Sequence, residues 1–172
     1  RGTPSSSGSE IEQALAQMGA RFESKTDREV SHLQVQVFGG DVGKAVKLLG
    51  DVVSNSTINA NELERVKQQV SEEHEDNHNR YFETTIENSH FNIYREHMMG
   101  QPIKGDRDVT QTLTADNVRD FHTTHYFGDN IVVVGAGNIN HDEFVNQVSA
   151  AFQSLPKSTA GKIKNKERPI YI

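Results

Sequence analysis

The 172 residues carry 18 Lys and Arg against 24 Asp and Glu, a net charge of -6, and no cysteine. The negative balance argues against nucleic acid as the main partner, and the lack of cysteine excludes a disulfide framework and a thiolate zinc site. The longest strongly apolar run, Ile131 to Val134, is far too short to span a bilayer, so the chain is not expected to be membrane-spanning itself.

The length suits one domain, and 34 % hydrophobic residues without a tryptophan predict an ordered chain that leans on neighbours for part of its core. Arg1 to Ser7 reads as a loop. Ser9 is placed to cap a helix with Ile11, Leu15 and Met18 inward, ended by Gly19. Ala20 to Lys25 reads as a strand, Thr26 to Arg28 as a turn. Val30 to Phe38 alternates, with Leu33, Val35 and Val37 on one side and His32, Gln34 and Gln36 on the other. That is a half-buried antiparallel strand, so the two runs predict a hairpin. Asp41 opens a helix with Val42, Ala45, Val46, Leu49 and Val53 inward.

The next stretch, Asn61 to Tyr81, organises the reading. Asn59 or Asn61 caps it, and Glu62 and Glu64 suit its first turn. Leu63, Val66 and Val70 form an apolar seam at helical spacing, and the next seam position is Glu73. A carboxylate there needs an Arg, a hydrogen-bond network or a metal, because burial without a partner is costly. His74, Glu75 and His78 also spell H-E-x-x-H, the spacing of a zincin helix. The surrounding EEHEDNHNR is polar on every side, which favours a solvated acidic face over a metal site.

A further helical run holds Phe82, Ile86, Phe91, Ile93 and Tyr94, and Gly100 to Gly105 is a loop. Thr114 caps a helix through Val118, Phe121 and Tyr126. Ile131 to Ala136 reads as a strand, apolar on both faces and central to a sheet. Asn140 caps a helix with Phe144, Val148 and Phe152, ended near Pro156. Lys157 to Lys166 is basic and linker-like, and Arg168 to Ile172 looks like the start of a strand. GAGN at Gly135 to Asn138 lacks the third glycine of a dinucleotide loop, and GQPIKG lacks the ending of a phosphate loop. The expected class is α+β: a mixed, mainly antiparallel sheet with helices packed on it.

Seven pieces in order resemble the pitrilysin/insulinase metallopeptidase family, in the branch of the mitochondrial processing peptidase and the core proteins of ubiquinol–cytochrome c reductase. They are RGT at Arg1 to Thr3; MGA at Met18 to Ala20; FESKTDRE at Phe22 to Glu29; AVKLLGDVVSNST; ELERVKQQVSEE; GQPIKG; and THYFGDNIVVVGAGNINHDEF at Thr124 to Phe144. The resemblance implies that zinc, where a member holds it, is bound by the two histidines of H-x-x-E-H and by a later glutamate, the motif glutamate acting as general base on metal-bound water. No H-x-x-E-H occurs in these residues; the resemblance places it directly before Arg1. It places the third ligand at Glu73 and a supporting glutamate at Val66, and it sets Arg28 in a turn beside the cleft. His125 and Tyr126 match a packing T-H-Y.

The resemblance therefore implies a partial N-terminal lobe over 1–156, lacking its first strands and metal-motif helix, with 157–172 as linker and start of the next segment. It implies no catalytic residue and no cofactor in this chain, zinc entering only if a partner segment supplies two histidines. The first reading is a non-catalytic core subunit, or a fragment of one, on the matrix side of the mitochondrial inner membrane. Its partners would be other core or processing-peptidase subunits, subunits of the membrane complex, and a separate polypeptide covering Val30 to Phe38 or Ile131 to Ala136. The alternative is part of an active zinc processing peptidase that cuts presequences.

Overall fold

The computed structural model describes residues 2–77, 80–95 and 97–158. Seven α-helices, three short 3-10 turns and one hairpin occupy them; the α-helices and strands are α1 (Gly8–Gln17), β1 (Arg21–Thr26), β2 (Ser31–Gln36), α2 (Val42–Ser54), α3 (Ala60–Asn77), α4 (Tyr81–Ile93), α5 (Arg107–Thr112), α6 (Ala115–His125) and α7 (His141–Ala151). The expected Arg168 to Ile172 strand lies outside the described residues. The class is α+β, as the pattern predicts, and among the described residues the sheet is the pair β1–β2. A turn this short can only join antiparallel strands.

Two compact units share these elements: the described residues of 2–25, 31–58 and 119–158 form one, and 26–30 with 59–118 form the other. In the first, α2 packs on α7. Ala45 and Val46 are buried at 5 % and 7 % exposure, on the inward face that the spacing predicts. Gly50 permits the close approach, since a Cβ there would lie 2.6 Å from the Ala151 carbonyl oxygen. The N-terminal loop is tied to α2: the Thr3 and Ser5 hydroxyls each donate to Asp51 at 2.7 Å. From α6, His122 Nε2 donates to the Val53 carbonyl at 2.8 Å and Arg119 Nη2 to the Ile58 carbonyl at 2.8 Å.

Caps decide most helix starts. Asn140 accepts from the Glu143 N–H at 3.0 Å, and Thr114 accepts from the Asn117 N–H at 3.3 Å. The first helix is capped by Ser7 rather than Ser9: Ser7 Oγ accepts from the Glu10 N–H and the Glu10 carboxylate accepts from the Ser7 N–H, a reciprocal box that Ser9 has no equivalent for. Gly19, at φ 59, occupies the left-handed turn that ends the segment.

Ile131 to Ala136 is not a strand. Ile131 is extended at φ -118, ψ 132, but no described segment pairs with the run, and Val132 and Val134 stand 87 % and 80 % exposed. An apolar run states that a segment is meant to be covered, and pairing needs a second backbone as well. For the same reason the apolar side of β2 is open, with Leu33 40 % exposed.

Candidate functional site

The candidate site belongs to the second unit and is built on α3. Asn59 caps it, its Oδ1 accepting from the Glu62 N–H at 2.9 Å, and Glu62 stands in the first turn, where the helix dipole favours an acid. Leu63, Val66 and Val70 are half-buried along the seam. Glu73 continues it, with its side chain 47 % exposed. Its Oε1 accepts from Gln69 Nε2 at 3.1 Å, one helical turn back. Its Oε2 lies 3.5 Å from Lys104 Nζ, and the same ammonium donates to the Glu73 backbone carbonyl at 3.1 Å.

Lys104 comes from the GQPIKG loop, whose shape depends on its glycines. Gly105 has φ 76, a region that favours glycine. A Cβ at Gly100 would sit 2.7 Å from the Tyr94 carbonyl oxygen. The glycines thus place the lysine, and the lysine satisfies the carboxylate on the seam.

Zinc needs several anionic or imidazole donors converging on one point. Around Glu73 stand an ammonium and an amide instead, and among the described residues no group of three or more His, Asp or Glu could hold a metal ion. Among the described residues, the groups around Glu73 do not by themselves compose a zinc site. His74 is half-buried, and its Nε2 is buried with no hydrogen-bond partner among the described residues. His78, the other histidine of H-E-x-x-H, lies outside the described residues.

Arg28 is held in the same unit at 11 % side-chain exposure. Its Nη2 donates to Glu87 at 2.6 Å and its Nε to the Met99 carbonyl at 2.9 Å. The turn residue thus joins α4 to the Met98–Gly100 turn through two of the five N–H donors of its guanidinium.

Three cations were not legible as site residues. Lys67, although charged, is buried at 7 % exposure; its Nζ donates to Glu64 at 2.8 Å and to the Gln111 carbonyl at 3.0 Å. Arg107 Nη2 pairs with Glu75 at 3.0 Å, and Lys104 pairs with Glu73. Only the Glu64–Lys67 spacing of three could have been seen in the sequence. The other partners lie 31 to 44 residues away.

The fold defines an α+β lobe with its candidate site on α3, and comparison with known proteins gives its family. The family model "Insulinase (Peptidase family M16)" matches residues 1–107, and "Peptidase M16 inactive domain" matches 112–171. The chain is 30 % identical over 164 residues to the mitochondrial-processing peptidase subunit beta of Blastocladiella emersonii, which covers 95 % of this chain and 35 % of that protein. It is 27 % identical over 158 residues to the subunit of the same name in Saccharomyces cerevisiae, covering 92 % and 34 %. Two solved structures share the fold. A peptidase M16 inactive domain from Pseudomonas fluorescens superimposes with a TM-score of 0.85 at 20 % identity, covering 98 % of this chain and 41 % of that one. A protease from Helicobacter pylori superimposes at 0.80 with 18 % identity, covering 99 % and 41 %. This chain belongs to the insulinase family, peptidase family M16. It spans about a third of the length of the curated relatives it matches.

Proposed function

We propose that this chain is a non-catalytic core subunit, or a segment of one, on the matrix side of mitochondrial ubiquinol–cytochrome c reductase, where it holds partner subunits together. The observation that carries the reading is the state of α3. Val66 stands where the resemblance calls for a supporting glutamate, and the Glu73 carboxylate is matched by Lys104 at 3.5 Å. An ammonium against the third-ligand position is an arrangement for a carboxylate kept after the metal chemistry has gone. The relatives' names, mitochondrial-processing peptidase subunit beta, support the mitochondrial setting.

The open surfaces support a place for partners in this reading. Leu33 on β2 and Val132 and Val134 on the extended run offer apolar side chains and free backbone edges. A segment of another polypeptide, or of a longer chain, completes the lobe there. Residues 1–156 then act as the lobe, with 157–172 as the linker and the start of the next segment.

The second reading is favoured by those same names: part of an active zinc processing peptidase that cuts presequences. It needs both histidines of H-x-x-E-H from outside these 172 residues, and Lys104 to leave Glu73. One experiment separates the two. Zinc content and cleavage of a presequence peptide are measured on the assembled protein, before and after Glu73→Gln. We expect substoichiometric zinc, no cleavage, and no change in either on substitution. One equivalent of zinc that is lost with Glu73→Gln, together with cleavage, would establish the peptidase instead.

A further inference from the structure

Beside the Glu73 site, the second unit holds an open polar groove of about 590 Å³ between α3 and α5. Its wall contains Arg65, Lys67, Arg107, Ser71 and Gln111, with Glu64 as the one acid. Three cations line it against one lining carboxylate, with Glu75 held on Arg107 and Glu72 on Gln68 at its margin.

The groove is built from fixed parts. Lys67 is nearly sealed, at 9 % side-chain exposure, and is held by Glu64 and the Gln111 carbonyl. An ammonium has three donors, so one remains for a ligand. Arg65 is exposed, and neither its guanidinium nor the Ser71 hydroxyl has a partner among the described residues. Arg107 is 54 % exposed and spends one nitrogen on Glu75, which leaves further donors of its fork free. These are donors without acceptors, arranged about one depression.

The lining selects the class of anion. Small-molecule pockets are mostly apolar and enclosed, and this groove is neither. No aromatic ring lines it to stack a base, and no glycine-rich nest of N–H groups lines it to cradle a phosphate. Guanidinium forks match carboxylates in two-point contacts, and the Gln111 side-chain amide matches a peptide group. We propose that the groove binds an acidic segment of a partner protein, its carboxylates received by Arg65 and Arg107 above the Lys67 floor. The inference does not rest on the core-subunit reading, since it concerns neither Glu73 nor the sheet edge.

The test measures fluorescence anisotropy of a labelled peptide of alternating Glu and Ser, titrated with the full chain in low salt. An alternating Gln and Ser peptide and an oligothymidylate serve as comparison probes. Saturable binding is expected for the Glu peptide alone, weakened about ten-fold by Arg65→Glu and by a smaller factor by Arg65→Lys, which keeps the charge but loses the two-point fork. Arg107→Gln, at an exposed position in another helix, gives a second and independent loss. Binding should also weaken as salt is raised. The inference is overturned by no saturable binding to the wild-type chain, by equal binding after both Arg65→Glu and Arg107→Gln, or by tighter binding of the oligothymidylate.

Discussion

At the scale of single residues, Asp51 shows how a loop is tied down by one carboxylate. Partial burial pushes its pKa up, but hydrogen bonds from Ser5, Thr3 and Asn55 and the nearby Lys47 ammonium outweigh this, and the net direction is below the ordinary 3.8. A folded-state pKa below the unfolded one means that ionised Asp51 favours the folded form. That contribution is fully present above the unfolded value and is lost as pH falls through the lower, folded one. Thermal unfolding followed by circular dichroism should therefore show the wild-type chain losing stability below about pH 4, with Asp51→Asn lowering the midpoint at pH 7 and flattening that acid limb. An unchanged acid limb in the variant would remove Asp51 from the account. Glu10 is lowered in the same direction by the Ser7 N–H and hydroxyl, but it is fully exposed and serves as a local cap.

At the scale of elements, α2 and α7 meet at Gly50, and two effects compete there. Alanine gains about 1 kcal/mol over glycine in a helix interior. Its Cβ would stand 2.6 Å from the Ala151 carbonyl oxygen and 2.7 Å from the Ala151 Cβ. Overpacking against backbone costs about 1 to 3 kcal/mol, so packing wins. Gly50→Ala should destabilise the chain by up to about 2 kcal/mol in urea unfolding. Ala151→Gly in the same background should recover part of it, because it removes the Cβ contact and leaves only those with the Ala151 carbonyl group. Such elements were largely legible in the sequence: Asn59, Thr114 and Asn140 cap the helices their positions predict, and Ala45 and Val46 face inward as their spacing requires. The six-residue α5 was missed because RDVTQT carries a single apolar residue, Val109, and so no periodicity. Without α5, the burial of Lys67 could not be foreseen, since its second partner is the Gln111 carbonyl. Glu73 stood out because a carboxylate broke an apolar series, but nothing local announced Lys104 as its partner.

At the scale of the whole molecule, the apolar run Ile131 to Ala136 sets the last prediction. Among the described residues the Ile131 N–H bonds to the Gly128 carbonyl, and the Ile139 N–H bonds to the Gly137 carbonyl. The backbone between these two turns is without a ladder, while Val132 and Val134 are 87 % and 80 % exposed. Each valine forgoes about 1.5 kcal/mol of burial, and an open extended edge invites pairing with whatever strand is at hand. A sequence that spends six consecutive positions on Ile, Val, Gly and Ala is patterned for cover on both faces. Amide hydrogen exchange reads this directly. In the isolated chain the N–H groups of Val132, Val133 and Val134 should exchange at rates near those of an unstructured peptide. In the assembled protein they should slow by about a hundred-fold or more, as ladder bonds form with the covering segment. Val133→Lys should abolish that protection if the segment lies on its face, while helices α2 and α7 keep theirs. Fast exchange in the assembly would mean that no strand adds to this edge, and the partner reading of the lobe would fall with it.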